Sequence, residues 1–343
     1  MAVDRYSLYN LRLYSDSAVA TERAVVISQG TIEEIVSDTA AIVGLSNCRN
    51  LGGAILSPGL LDLCCRIDQT SVSLLEKVGA TRRSSLNSAV TDIALIATPR
   101  VALSLLRDIG FEALNQGGGA CVVGIRIDCC ADSRDMIRDL TDVLTHFATN
   151  IIDVRCLSTV DSCESIASTV HELGGRLCLE IPDRQQDNNV LSRLLDGPIT
   201  CVSVDIKSLE RIPEVSEWLE VRMPSPLEID VTPNIDQRLQ LPGKLLVGNH
   251  RLPQSTGSQT PWSRLRREMY YATEGDVEFM PLNNAVLYMN RHWGVPMNRL
   301  LTTATYNAAQ YIGRGHVLGR IGPSYLAHLS ILDRKLVALD AIV

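Results

Sequence analysis

Between Gly59 and Ile181 the sequence alternates short apolar runs with amphipathic stretches, and this rhythm constrains the fold more than any other feature. The apolar runs are Leu60 to Cys64, Val90 to Ala97, Ala120 to Ile127, Ile151 to Leu157 and Arg176 to Ile181. Between them, Val72 to Ser88, Val101 to Leu114, Asp132 to Ala148 and Ser158 to Leu173 carry helical spacing. In the third of these, Met136, Ile137, Leu140, Val143, Leu144 and Phe147 form one stripe. Strands that recur with helical crossovers and short connectors predict a parallel sheet, open or closed.

The two ends of the chain read differently. Ser7 to Tyr14 alternates, Ala24 to Ser28 is β-branched, Gln29-Gly30 is a turn signal and Thr31 to Val36 returns, which predicts a hairpin. A further strand, Ala54 to Leu56, runs into the break at Ser57-Pro58-Gly59. Gly319 to Leu339 is again strand-like, so both ends are expected to build one small β unit. In the later half, the stretch from Pro213 to Pro261 reads as irregular surface path. Residues 276–291 and Met297 to Ile312 have helical spacing, with Gly313 as a C-cap.

Composition removes several function classes. The formal charge is −7, which argues against a chain that coats phosphate backbones. Aromatic residues are 4%, too few for base-stacking platforms, so no nucleic-acid partner is expected. The first ten residues hold no apolar h-region and no run of 18 apolar residues occurs, so neither secretion nor a membrane span is expected. Ten cysteines, none in a CxxC pair, suit free thiols in a reducing cytoplasm.

The segment Leu56-Ser57-Pro58-Gly59-Leu60-Leu61-Asp62-Leu63-Cys64-Cys65-Arg66 resembles the V-S-P-G-F-I-D-x-H-x-H segment of the cyclic amidohydrolases, dihydroorotase in particular. The resemblance extends along the chain. Leu157 to Ser162 is similar to that family's V-S-T-x-x-S turn, and Met223 to Leu227 to its N-P-P-L loop. Asn307 to Tyr311 is similar to its N-P-A-x-x-F/L helix, and Gly319 to Asp333 to its G-x-I-x-P-G-x-x-A-D-L-x-I-x-D tail. The resemblance implies a distorted (β/α) TIM-type barrel over 59–316 and a small β-sandwich domain formed by 1–58 and 317–343.

Family members hydrolyse or close a cyclic amide at a zinc site, and the matching positions here are altered. The H-x-H pair falls on Cys64 and Arg66, and a guanidinium repels a cation. The family's histidine before V-S-T falls on Cys156. A strand ending in another metal-binding histidine has no counterpart between about 140 and 151, which reads as a deletion. The D-H-A-P-H motif, whose Asp is ligand and base, best matches Asn249-His250-Arg251-Leu252-Pro253. Val204-Asp205 is a second placement, which would leave Met223 to Leu227 unaligned. The arginine that binds the substrate carboxylate is replaced by Asp68, and the M-P-N-T asparagine by Thr98.

The resemblance therefore implies a dismantled active site, with Cys64, Arg66, Asp68, Thr98, Cys156, Asn249 and His250 as vestigial positions and neither metal nor cofactor. Inactive dihydroorotase-like subunits of this type bind the aspartate carbamoyltransferase catalytic chain and support its assembly. The expectation is thus a cytoplasmic subunit of a symmetric hetero-oligomer. The alternative is an active amidohydrolase with altered chemistry, either metal-free or using Cys64, Cys156 and His250 around zinc. A third reading is a binder of a small metabolite in the vestigial pocket. The cysteine pairs Cys64-Cys65 and Cys129-Cys130 read as buried thiols and a plain loop. His171 reads as a partly exposed helix residue and His292 as a helix C-cap residue, His316 and His328 have no evident partner, and Arg264, Arg266 and Arg267 form a small basic cluster on a solvated face.

Overall fold

The computed structural model describes residues 5–14, 19–37, 47–67, 73–129, 134–157, 163–181, 199–205, 218–222, 244–248, 282–283, 286–287, 290, 296–333, 335 and 337–343. These residues form two sheets. The first has six strands in the order β14-β13-β4-β1-β2-β3 and draws on both ends of the chain. Its strands are β1 (Arg5–Tyr14), β2 (Val19–Ser28), β3 (Thr31–Ser37), β4 (Cys48–Pro58), β13 (Leu329–Leu332) and β14 (Ala338–Ile342). The turn at Gln29-Gly30 places both residues at positive φ. The sheet folds back on itself: Thr31 bridges Leu326, and Ile32 N–H donates to the Tyr325 carbonyl. Leu8, Leu11, Val25, Ile27, Ile32, Leu56, Leu329 and Ile331 fill the enclosed core.

The second sheet is parallel, with eight strands in chain order. They are β5 (Leu60–Arg66), β6 (Val90–Ala97), β7 (Cys121–Cys129), β8 (Ile151–Leu157), β9 (Leu177–Ile181), β10 (Ile199–Asp205), β11 (Trp218–Arg222) and β12 (Lys244–Gly248). The sheet curls until β12 lies near β5, the arrangement of a distorted barrel. Helices α1 (Leu74–Asn87), α2 (Pro99–Leu103), α3 (Phe111–Leu114), α4 (Arg134–Phe147) and α5 (Cys163–Glu172) follow the first four strands. Their apolar stripes, Val78, Val101, Met136, Leu140, Val143, Ile166 and Val170 among them, pack with Leu105 of the turn after α2 on the outer strand residues Ile93, Leu95, Val122, Ile125, Ile127 and Val154. Helices α6 (Met297–Thr302) and α7 (Ala308–Tyr311) precede the return to the first sheet.

Three sequence expectations need correction, the first being the irregular path from Pro213 to Pro261, which contains the barrel strands β11 and β12. The stretch from Val101 to Leu114 is not one helix. It widens into an i→i+5 turn over Ser104–Ile109 and breaks at Gly110, whose φ of 90° no regular helix accommodates. The expected deletion is not seen: residues 140–150 hold the end of α4 and a 3-10 turn, β8 starts at Ile151, and the described residues already supply eight barrel strands. Consequently Cys156 lies on the fourth strand of the barrel. Met223 to Leu227, Arg264, Arg266, Arg267 and His292 lie outside the described residues.

Candidate functional site

Alternation along a strand decides which side chains enter the barrel. On β5, Cys64 packs in the inner cluster, and Arg66 reaches the rim to pair with Asp128 of β7. On β7 the inner positions belong to Arg126 and Asp128, and on β8 to Asp153 and Arg155. On β9, β10 and β11 they fall to Cys178 and Glu180, Cys201 and Ser203, and Trp218 and Glu220.

The centre of the barrel is therefore ionic. The guanidinium of Arg126 donates to Asp153 at 2.8 to 3.1 Å and to Glu220 at 2.6 Å, and all three side chains are fully enclosed. It also donates to the Leu63 carbonyl at 3.2 Å. Arg155 lies 3.2 Å from both Glu220 and Glu180, and Ser203 Oγ donates to Glu220 at 3.0 Å. Tyr311 of α7 enters from the N-terminal ends of the strands. Its hydroxyl donates to Asp153, and its ring meets Trp218 edge-on with centroids 5.4 Å apart. The Arg176 guanidinium lies over the same ring at 4.4 Å.

These neighbours set the protonation states. Burial alone would raise the Glu220 carboxyl, but the charges of Arg126 and Arg155, with hydrogen bonds from Arg126 and Ser203, hold it down to about 2. Burial, reinforced by Glu220, pushes the Cys64 thiol up to about 12. Burial and Asp153 push the Tyr311 phenol well above its usual value. Both arginines stay charged: burial opposes this, but Asp153 and Glu220 outweigh it for Arg126, and Glu220 and Glu180 do so for Arg155. Glu220, Cys64 and Tyr311 are thus all displaced away from neutrality, where a general acid or base would need to titrate.

The sequence-derived positions divide into three groups. Cys64 and Arg66 face the barrel as their spacing implied. At these two positions the described donors do not suit a divalent cation. The Cys64 thiol holds its proton and lies 3.9 Å from the Arg126 guanidinium, and Arg66 adds a second positive charge at the rim. Cys156 and Thr98 do not join them. With Asp153 and Arg155 turned inward, Cys156 is directed to the helical side, where its Sγ lies 3.0 Å from that of Cys163 on α5. The expected neighbourhood of Cys64 and Cys156 in the barrel interior is corrected accordingly. Thr98 is exposed at the end of β6 and caps α2, its Oγ1 accepting from the Val101 N–H at 3.5 Å. Asp68, Asn249 and His250 lie outside the described residues; Asn249 directly follows β12, the last barrel strand.

No motif of the sequence marks Arg126, Asp153, Arg155, Glu180 or Glu220. Their signal is nonetheless there: each is a charged residue inside an otherwise apolar strand, as in GIRID, IDVRC, CLEI and WLEVR. Charges at alternate positions of buried strands mark a polar network on one face. His328 also gained a partner, since its Nδ1 lies 2.9 and 3.0 Å from the two oxygens of Asp92.

No family model matches the chain, and no curated protein matches it. Solved structures do. N-acetylglucosamine-6-phosphate deacetylase from Pasteurella multocida matches with a TM-score of 0.71 at 16% identity, covering 99% of this chain and 98% of that one. Dihydropyrimidinase from Brevibacillus agri matches with a TM-score of 0.62 at 12% identity, over 98% and 92% of the two chains. Enamidase, a member of the amidohydrolase superfamily, matches with a TM-score of 0.60 at 14% identity, over 95% and 86%. At these identities the likeness shows the fold, which is that of the amidohydrolase type. No helix among the described residues is long and apolar enough to cross a membrane.

Proposed function

We propose that this chain is a catalytically silent, dihydroorotase-like subunit that binds the aspartate carbamoyltransferase catalytic chain and supports its assembly in pyrimidine biosynthesis. The observation that carries the silent half is the occupation of the barrel interior by the Arg126–Asp153–Glu220–Arg155 network. Arg66 and Asp128 close the rim above it with a further ion pair. A barrel of this type places its chemistry at the C-terminal ends of the strands. Here Arg66 and Arg155 occupy inner positions near that face and pair with the carboxylates Asp128, Glu180 and Glu220, whose lone pairs a cation would need. The partner half rests on the sequence resemblance to dihydroorotase-like subunits. A hydrolase built on Cys64 and Cys156 finds no support, because the two thiols lie on opposite faces of the sheet.

The test combines turnover and association. The purified chain, supplied with zinc, is assayed with dihydroorotate, then mixed with the aspartate carbamoyltransferase catalytic chain and analysed by size-exclusion chromatography with light scattering. The expected result is no turnover and a stoichiometric complex. Sustained dihydroorotate turnover overturns the silent reading, and separate elution of the two chains overturns the partner reading.

A further inference from the structure

At the opposite end of the barrel, three donor types meet that no part of the proposed function uses. Asp92 lies near the start of β6, Cys121 opens β7, and His328 immediately precedes β13 of the terminal sheet. Asp92 and Cys121 are ladder partners, and one donor atom from each of the three residues lies within 4.8 Å of the other two. The His328 Nδ1 is 2.9 and 3.0 Å from the Asp92 oxygens. That is near the ligand-to-ligand spacing of about 3.3 Å expected for tetrahedral zinc with bonds of about 2.0–2.1 Å.

The surroundings hold these donors in place. Thr91 Oγ1 donates to the Asp92 Oδ2 at 2.7 Å, the kind of outer bond that orients a ligating carboxylate. The His328 carbonyl accepts from the Gly59 N–H at 2.8 Å, which fixes the histidine backbone against the first barrel strand. The Val122 N–H, next to Cys121, donates to Asn115 Oδ1 at 2.7 Å. Asp92 is buried and His328 and Cys121 are partly exposed, which leaves solvent access for a fourth ligand. Burial and the nearby Asp92 push the Cys121 thiol up, against the opposing charges of Arg82 and Arg314, so a bound cation would have to supply the charge that stabilises the thiolate.

We propose that Asp92, Cys121 and His328 form a binding site for a divalent, borderline-soft cation such as Zn2+, placed at the seam between the terminal sheet and the barrel. A thiolate, an imidazole and a carboxylate suit zinc better than magnesium or calcium. A thiolate ligand must be deprotonated, so affinity rises with pH. The ion would tie residue 328 to residues 92 and 121, a structural staple remote from the catalytic face. The buried trio of Cys178, Cys201 and Glu220 is a poorer site, because Arg126 and Arg155 already pair with that carboxylate.

The experiment uses the full chain titrated with Co2+ as spectroscopic probe, and then with Zn2+. Expected are one equivalent of Co2+ with a thiolate-to-cobalt charge-transfer band, displaced by zinc. Cys121→Ser and His328→Gln abolish the band, and Cys178→Ser leaves it unchanged. Because His328→Gln disturbs a seam, alkylation of the wild-type chain gives an independent reading. Zinc should slow iodoacetamide labelling of Cys121 at least tenfold by peptide mapping, with no protection of Cys48. Absence of the band, its persistence in Cys121→Ser, or unprotected Cys121 overturns the site.

Discussion

Arg126 and Asp153 stand opposite each other on neighbouring strands, with Nε to Oδ1 at 3.0 Å and Nη2 to Oδ2 at 2.8 Å, and no part of either side chain reaches solvent. A pair this enclosed stabilises the fold only as long as both members remain, because each alone is an unpaired buried charge. Arg126→Met should therefore destabilise the protein by about 3–5 kcal/mol, even though methionine fills similar volume. Urea unfolding of the variant beside the wild type checks this; a loss under about 1 kcal/mol would contradict it.

Acid should unfold the protein through Glu220. Its carboxyl is held at about 2 in the folded chain, against 4.5 ordinarily. Its contribution is fully present above pH 4.5 and is lost as the pH falls from there toward 2. Stability measured by urea midpoint should decline through this window by an amount on the order of a few kcal/mol. Glu220→Gln should be less stable at pH 7 and show a flatter profile below 4.5.

Two glycines make opposite predictions. At Gly59 a Cβ would meet Thr91 Oγ1 at 1.9 Å and the His328 carbonyl at 2.9 Å, so Gly59→Ala should cost about 1–3 kcal/mol. At Gly79, inside α1, a Cβ would meet the flexible end of Arg83 at 3.4 Å. Gly79→Ala should stabilise by about 0.5–1 kcal/mol through helix propensity. Thermal midpoints of the two variants should move in opposite directions.

Cys156 and Cys163 should be the first of the described thiols to cross-link. Their Sγ atoms are 3.0 Å apart, so little movement separates the dithiol from a disulfide. A mild oxidant such as diamide should yield a Cys156–Cys163 bond by peptide mapping. Scattered pairing among the other cysteines would contradict the geometry.

Much of the barrel was legible because strand and helix periodicities are local. The boundaries of β6 coincide with the apolar run Val90 to Ala97, and the inward position of Cys64 and Arg66 follows from their spacing by two. The face that Cys156 takes has a nonlocal cause. Which face a residue takes depends on strand register, and the β7–β8 ladder is shifted between Ile125 and Arg126. The interior network was illegible as a unit because its members come from four strands between residues 126 and 220. The partnership of Asp92 and His328 spans 236 residues, beyond any local pattern.

The terminal sheet also dictates an order in time. β4 pairs with β13, and Leu60 N–H donates to Ser330 Oγ across 270 residues. During synthesis at about 5–20 residues per second, one edge of β4 waits roughly 15–55 seconds for its partner to be made. Through that interval β1 to β4 form an open-ended sheet, and the barrel has time to assemble between the two parts of its neighbour. Strands β13 and β14 are made after the barrel strands and close the sheet, so slow translation of the barrel half should raise misfolding at the β4 edge rather than in the early barrel strands.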